Sequence, residues 1–205
     1  MVMNLRNEIL ARYAESLLDS KRAFSDTDLP RHLDAALSAL SEVRPQCKIT
    51  LLNLVADRSI YPCPDDLLKV NKCLYGLNVK NSQNPWDDWY VGCLPHWHVF
   101  KNNNNQRVLF ANPAPTTLQL TIIGPECEII YCAGHVLADD ECSLNKDEIG
   151  LLILRAQAEA MREISMKNTT QSYQLREGIS STPQNGTPAY LYKTLMEEFN
   201  VRVSR

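Results

Sequence analysis

The chain has 205 residues, which suggests one domain, or one domain with an insertion and a tail. Of these residues 44% are hydrophobic, enough for a core, and 22% are charged. Its formal net charge of −3 gives no general attraction to nucleic acid or to an anionic membrane. No apolar run reaches the roughly 18 residues of a membrane span, and residues 1–18 lack the apolar core of a signal peptide. The seven cysteines are an odd number without a CxxC pair, which indicates assembly in a reducing cytoplasm.

Two amphipathic helices are predicted at the start of the chain, over residues 2–20 and 30–45. The second follows a cluster of N-cap residues at 25–28, carries proline in its first turn and is stopped by Pro45. We expect the two helices to pack as an antiparallel pair. In the first helix, the apolar residues that recur every four positions are Leu5, Ile9, Tyr13 and Leu17.

Residues 46–142 have a different character, because short runs rich in Ile, Val, Thr and Tyr alternate with Pro, Asn and Asp. This pattern is typical of a small antiparallel sheet with short strands. Four consecutive asparagines at 102–105 predict a hairpin tip, and residues 64–68 predict a bend or a single helical turn. The predicted strands are 48–55, 59–61, 69–77, 107–111, 117–123 and 128–133.

The strongest helix signal lies at residues 147–166, where apolar residues cover most of the helix surface. A helix that is apolar on most sides is buried on most sides, so we predict a central helix on which the other elements pack. Asn145 can cap its first turn. A charge placed at Ile153 or Ala156 should therefore unfold the subunit.

The remainder of the chain predicts an irregular arm over residues 167–186 and a short helix that begins at Thr187 and Pro188. Such a helix is unstable alone, so it must dock on its own core or on a neighbouring molecule. The predicted fold is therefore α+β: a helical core from residues 1–45 and 143–166, an inserted antiparallel β-block at 46–142, and an extended C-terminal arm at 167–205.

One group of residues has the composition of a metal site. His96 and His98 would point to the same side of a strand, and Cys93 could reach them. Cys132 and His135 are the residues that could complete four ligands. Histidines in an ordinary aromatic-rich strand or turn are the interpretation that we favour, and we predict no cofactor.

The segment NPWDDWY at residues 84–90 is aromatic and acidic, which is compatible with a ligand platform or with a protein interface. We favour an interface, formed also by the apolar face of the last helix. The sequence contains no P-loop, GxGxxG, GxSxG or HExxH motif, and we do not expect an enzyme. The predicted interface residues are Trp86, Trp89, Tyr90, Tyr190, Leu191, Leu195 and Phe199.

The order of these parts resembles the head–tail adaptor (connector) proteins of tailed bacteriophages. Residues 25–45, SDTDLPRHLDAALSALSEVRP, resemble the turn and the Leu/Ala-rich helix ending in Arg-Pro with which that family opens. YPCPDDLLKV at 61–70 and RVLFANPAP at 107–115 resemble its approach to a strand and its strand with a proline-rich turn. EIIY at 128–131 and the helix at 147–166 resemble its last strand and core helix, so the resemblance covers residues 20–166.

The resemblance implies a structural virion protein without catalytic activity, assembled in the host cytoplasm and located in the virion neck. A ring of subunits, twelve in the family, would join the portal protein to a tail or nozzle protein and extend the DNA channel. A stopper or other tail-completion protein of the neck is the nearest alternative, and a metal-binding enzyme using Cys93, His96 and His98 is another. We expect loss of residues 187–205 to impair assembly while the core stays folded, and a charge at Trp86 or Leu191 to disturb assembly first.

Overall fold

The computed structural model describes residues 5–17, 23–168 and 187–204, and these form six helices and two antiparallel three-stranded sheets. The predicted α+β class is therefore confirmed. The helices are α1 (Leu5–Ser16), α2 (Asp28–Val43), α3 (Leu77–Ser82), α4 (Thr117–Ile123), α5 (Lys146–Asn168) and α6 (Pro188–Val203). The strands are β1 (Gln46–Asn53), β2 (Ile60–Pro62), β3 (Leu67–Cys73), β4 (His96–Lys101), β5 (Arg107–Asn112) and β6 (Glu126–Ala133).

The described residues fall into two compact units. The helical unit combines the residues up to Pro45 with those from His135 onward, and the β unit is Gln46–Gly134. The sequence prediction assigned residues 135–142 to the β-block, but they belong to the helical unit. Hydrogen bonding explains this position, because the His135 N–H donates to Ser41 Oγ at 2.9 Å and His135 Nε2 lies 2.7 Å from the Arg44 carbonyl oxygen.

α5 is the longest described helix and contributes more residues than any other element to the core of the helical unit. Its start is capped as predicted: Asn145 Oδ1 accepts from the Glu148 N–H, and the Glu148 carboxylate accepts from the Asn145 N–H, each at 2.9 Å. The helix predicted at 147–166 therefore differs from α5 by one residue at its start and by two residues at its end. The buried residues that it packs with come from α1 (Ile9 and Tyr13), α2 (Leu33, Ala36 and Leu40) and α6 (Phe199).

α6 docks on its own unit, which was one of the two alternatives that the sequence left open. Phe199 is only 2% exposed, and the Arg155 guanidinium lies 5.9 Å from the centre of its ring. Arg155 also donates to Met196 Sδ at 3.2 Å, and Arg44 Nε donates to the Val203 carbonyl oxygen at 3.1 Å. The predicted N-cap is confirmed, because Thr187 Oγ1 accepts from the Tyr190 N–H. The predicted arm beyond Asn168, residues 169–186, lies outside the described residues.

A buried polar chain joins α1, α2 and α5. The Tyr13 hydroxyl lies 3.0 Å from His32 Nδ1, and His32 Nε2 lies 2.5 Å from a carboxylate oxygen of Glu163. Glu163 also accepts from Arg31 and Lys167. Burial opposes ionisation of Glu163, but the hydrogen bonds from Lys167 and His32 and the charge of Arg31 together lower its pKa below the ordinary value of 4.5. The polar chain thus fixes three helices without leaving a buried group unpaired.

The β unit consists of two sheets with the strand orders β1-β6-β3 and β2-β5-β4. β1 and β6 pair along their whole length, from Gln46 with Ala133 to Asn53 with Glu126. Each sheet turns one face into a common core, because side chains alternate along a strand. That core includes Leu52, Ile129, Leu67, Tyr61, Trp97 and Leu109.

Residues 117–123 form helix α4, so the predicted strand at this position is wrong. The alternation of Thr117-Leu-Gln-Leu-Thr-Ile fits a strand, but Thr116 Oγ1 accepts from the Gln119 N–H while the Gln119 side chain accepts from the Thr116 N–H. This reciprocal capping box starts a helix, and Gly124, with φ of 98°, ends it. The sequence also missed α3, placed His96 and His98 on a strand without giving the bounds of β4, and set β3 two residues too late at its start and four too late at its end.

The described helices include none that combines the length and the apolar character needed to cross a bilayer.

Replacing Phe199 by alanine should lower the free energy of unfolding by about 3–5 kcal/mol, because it opens a cavity between α6 and α5. Val201→Ala on the same helix removes an exposed side chain and should change it by less than about 0.5 kcal/mol. Urea denaturation followed by circular dichroism measures both. This expectation replaces the one drawn from the sequence, that loss of residues 187–205 leaves the core intact. Equal stability of the two variants would contradict the docking of α6.

Replacing Glu163 by glutamine should lower the free energy of unfolding at pH 7 by about 1–2 kcal/mol. The folded-state pKa of Glu163 lies below its unfolded value, so its stabilising contribution is complete above pH 4.5 and is lost as the pH falls through the folded-state pKa. Denaturation at pH 7 and pH 3 should therefore show a difference that shrinks in acid. Glu42→Gln, at an exposed position of α2, is the matched control and should show neither effect. A difference that is constant with pH would exclude an ionic role for Glu163.

Candidate interaction surface

The outer face of the first sheet is apolar along its edge strand β1. Ile49 and Leu51 are 64% and 68% exposed, and Cys47 precedes them on the same face. Ile49 pairs with Ile130 of β6, which extends the apolar surface by one residue because paired residues point to the same side. Leu51 pairs with Glu128, and Lys72 of β3 pairs with Ile130, so the rest of this face is charged. In the described chain, no strand pairs with the free edge of β1. An apolar row beside unpaired backbone groups is a surface that another chain can extend.

The outer face of the second sheet is also apolar, and it is aromatic. Ile60, Phe110 and His98 are neighbours in the register of β2, β5 and β4. Phe100 packs edge-on against Phe110 with ring centroids 5.5 Å apart, and both Ile60 and Phe100 remain about half exposed. A sheet that faces water normally carries polar residues on that side. The β1 row and this aromatic face are therefore the exposed apolar surfaces that the two sheets offer.

The tryptophan loop, residues 84–90, projects into solvent from the β unit. Trp86 is 81% exposed and Trp89 is 65% exposed, so neither of them anchors the loop to the β core. The loop is nevertheless ordered by hydrogen bonds: the Asn84 N–H donates to Asp87 Oδ2 at 2.9 Å, and the Tyr90 N–H donates to the Asp87 carbonyl oxygen at 2.9 Å. A fixed loop presents its indole rings at a small entropic cost, which suits an interface.

The segment after the tryptophan loop is held by Gln119 of α4, which is 1% exposed. Its amide nitrogen donates to the carbonyl oxygens of Val91 and Cys93, at 2.8 Å each. The sequence did not indicate this role, because α4 was predicted as a strand. The three-residue spacing of Thr116 and Gln119 is that of a capping box, and it was the sequence signal for this helix.

The predicted interface residues separate into two groups. Trp86, Trp89, Tyr190 and Leu191 are exposed and available to a partner, and Tyr90 is half-buried. Leu195 and Phe199 pack against the core of the helical unit, so their side chains are already occupied within the single chain. Conversely, the apolar rows on the outer faces of the two sheets were absent from the sequence prediction. The sequence signal for them was the spacing of two residues, which places Ile49 and Leu51 on one face of a strand and His98 and Phe100 on one face of another.

The predicted metal ligands do not assemble into a site. His96 and His98 lie on the same exposed face of β4, as their spacing predicted, but Cys93 lies in the loop before the strand. Within residues 5–17, 23–168 and 187–204, no three His, Cys, Asp or Glu side chains come together as metal ligands. His98 instead contacts Phe100, with ring centroids 6.1 Å apart.

The two residues proposed to complete that site are also engaged elsewhere. Cys132 is buried on β6. The ring nitrogens of His135 bond to Ser143 Oγ at 3.1 Å and to the Arg44 carbonyl oxygen at 2.7 Å. Both imidazole nitrogens of His135 therefore stabilise the helical unit.

The chain Tyr13–His32–Glu163 resembles a proton relay in composition, but only its Glu163 end reaches a cleft, and its Tyr13 end is buried. Tyr13 is fully buried, and burial together with the nearby charges of Glu163 and Glu159 raises its pKa, so the hydroxyl stays neutral. Its position among helices α1, α2 and α5 gives it a structural role. A cleft of about 360 Å³ borders Glu163 and is lined mainly by charged side chains that already pair with one another.

Comparison of the chain with protein-family models found no match, and comparison with curated proteins likewise found none.

Replacing Gln119 by leucine should lower the free energy of unfolding by about 2–3 kcal/mol, because it leaves the carbonyl groups of Val91 and Cys93 without their donor. Amide hydrogen exchange in residues 84–95 should accelerate more than elsewhere. Thr121→Ala removes an exposed side chain from the same helix and should leave both quantities nearly unchanged. Uniform acceleration across the chain would show that Gln119 does not specifically hold this segment.

Proposed function

We propose that the protein is a structural subunit of a tailed-bacteriophage neck, a head–tail adaptor that forms a ring between the portal protein and the tail. The observation that carries the proposal is the exposed apolar row on the edge strand β1 together with the aromatic outer face of the second sheet. The resemblance of residues 20–166 to adaptor proteins then selects a ring of identical subunits as the assembly. The protein would be located in the virion neck after assembly in the host cytoplasm, with no enzymatic activity and no cofactor.

The proposal includes the finer architecture suggested by the sequence. α1, α2 and α5 would form a helical bundle, the β unit would be an insertion into it, and the residues after α5 would form an arm that ends in α6. In such a subunit the bundle supplies rigidity and the inserted sheets supply contacts. Large apolar side chains are exposed in both units, but more of them belong to the β unit, which supports this division.

The outer face of β1 is the surface that we assign to the contact between neighbouring subunits. Ile49 and Leu51 lie beside the free edge of β1, so a neighbouring chain can pair with the backbone and cover the apolar row together. A ring requires two different surfaces on each subunit that fit one another. The aromatic outer face of the second sheet, with Ile60 and Phe100, is the second surface, and the tryptophan loop is assigned to the portal or tail protein.

The net charge of the subunit fits passage of DNA without retention. A ring of subunits that each carry −3 presents few attractions to phosphate groups, whereas a basic channel would bind them. The DNA would therefore slide through the channel without sequence-specific contacts.

Mass photometry of the purified chain, alone and with the portal protein of the same genome, tests the proposal directly. The wild-type chain should add one ring, in twelve copies, to each portal ring. Leu51→Glu should weaken this assembly by at least tenfold, because it buries an unpaired charge in the contact between subunits. Asn104→Glu adds the same charge at the polar tip of the β4–β5 hairpin and should assemble like the wild type.

Three outcomes distinguish the alternatives. A chain that neither oligomerises nor binds portal rings at micromolar concentration would refute the adaptor role. Electron micrographs that place the ring away from the portal would identify a stopper or tail-completion protein instead. Equal assembly of Leu51→Glu and Asn104→Glu would leave the ring in place but move the subunit contact away from β1.

A further inference from the structure

Two cysteines from different strands approach each other in the β unit. Cys73 ends β3, Cys127 lies on β6, and their sulfur atoms are 3.4 Å apart although the residues are 54 positions apart in the chain. Cys73 pairs with Ile129, so Cys127 is its diagonal neighbour on the inner face of the sheet. A disulfide requires an approach of the two sulfur atoms by little more than 1 Å from this position.

Small molecules can reach this pair from one side. A cavity of about 270 Å³ is lined by Cys73 together with Trp97, Tyr75 and the β4 residues His96 and His98. Cys73 is partly exposed, whereas Cys127 is buried. Cys73 is therefore the thiol that a small oxidant reaches first, and Cys127 is the thiol that lies behind it.

The surroundings of Cys73 favour its ionised form. The hydrogen bond with the Cys127 thiol lowers the pKa of Cys73 to about 7, against the effect of burial, and the backbone of Tyr75 and the indole of Trp97 contribute in the same direction. The same contact raises the pKa of Cys127. Trp97 Nε1 is buried and has no other hydrogen-bond acceptor in the described residues, so the sulfur of Cys73 is the acceptor available to it.

We propose that Cys73 and Cys127 are a peroxide-reactive thiol pair, in which Cys73 is oxidised first and Cys127 converts it to an intramolecular disulfide between β3 and β6. The Cys73 thiolate attacks one oxygen of hydrogen peroxide, the O–O bond breaks, and the products are a sulfenic acid and, after proton transfer, water. Cys127 then attacks the sulfenic sulfur, the S–O bond breaks and a second water leaves. The two thiols lose two electrons and two protons, and the peroxide takes up both.

This inference does not depend on the proposed ring, because both cysteines belong to one chain. It is tested on the full-length protein at low concentration, treated with hydrogen peroxide at pH 7 and quenched with iodoacetamide. Peptide mapping without reductant should recover a cross-linked peptide pair containing Cys73 and Cys127, and the count of free thiols should fall by two. Dithiothreitol should restore both thiols.

Variants separate the roles of the two cysteines. Cys127→Ala should stop the reaction at the sulfenic acid, detected as a dimedone adduct at Cys73, and Cys73→Ser should abolish oxidation of Cys127. Cys93→Ser removes a more exposed thiol of the same unit and should leave the cross-link unchanged. Circular dichroism checks that each variant is folded, and the wild-type cross-link alone remains decisive if a variant is not.

The proposal fails if peroxide leaves Cys73 and Cys127 both recoverable as free thiols, or if Cys47 and Cys93 react first and cross-link separate molecules. None of these results bears on ring formation, so failure of this inference is distinct from failure of the proposed function.

Discussion

The burial of one face of each three-stranded sheet in a common core is the constraint on which the β unit depends. Side chains alternate along a strand, so the residues that fill the core also determine which residues face outward. Leu52 and Ile129 point inward, and the same alternation places Ile49 and Leu51 on the opposite side of β1. A shift of register by one residue would exchange the two sets. The core and the proposed contact surface are thus specified by the same pairing of β1 with β6.

The helical unit meets a different requirement, because α5 needs apolar neighbours along most of its surface. α1, α2 and α6 provide them, and the polar chain from Tyr13 to Glu163 fixes the rotation of α1 and α2 against α5. A buried hydrogen-bonded chain tolerates little displacement, since each broken contact leaves a polar group without water. The unit therefore has the properties of a rigid support. The β unit, by comparison, leaves Trp86, Trp89 and Phe100 exposed.

The sequence predicted the elements whose signals are local and strong. The length and the cap of α5, the start of α6 at Thr187 and the asparagine-rich hairpin tip were all evident from periodicity and capping residues. The helix α4 was predicted as a strand because its residues alternate between apolar and polar. The capping box formed by Thr116 and Gln119 is the local signal that determines a helix there. The contact between Cys73 and Cys127 could not be predicted, because it depends on the order and register of strands that are distant in the chain. The exposed side chains on the outer faces of β1 and β4 could not be predicted for the same reason.

The pairing of Gln46 with Ala133 has a consequence for how such a chain can evolve. The β unit begins and ends at adjacent residues of one ladder, and in the helical unit Ser41 and His135 are likewise hydrogen-bonded neighbours. A tight turn between Pro45 and His135 would therefore close the helical unit without the inserted segment, at the small entropic cost of a short loop. The whole segment can be exchanged as a cassette, so that relatives could retain one helical scaffold while acquiring different binding modules.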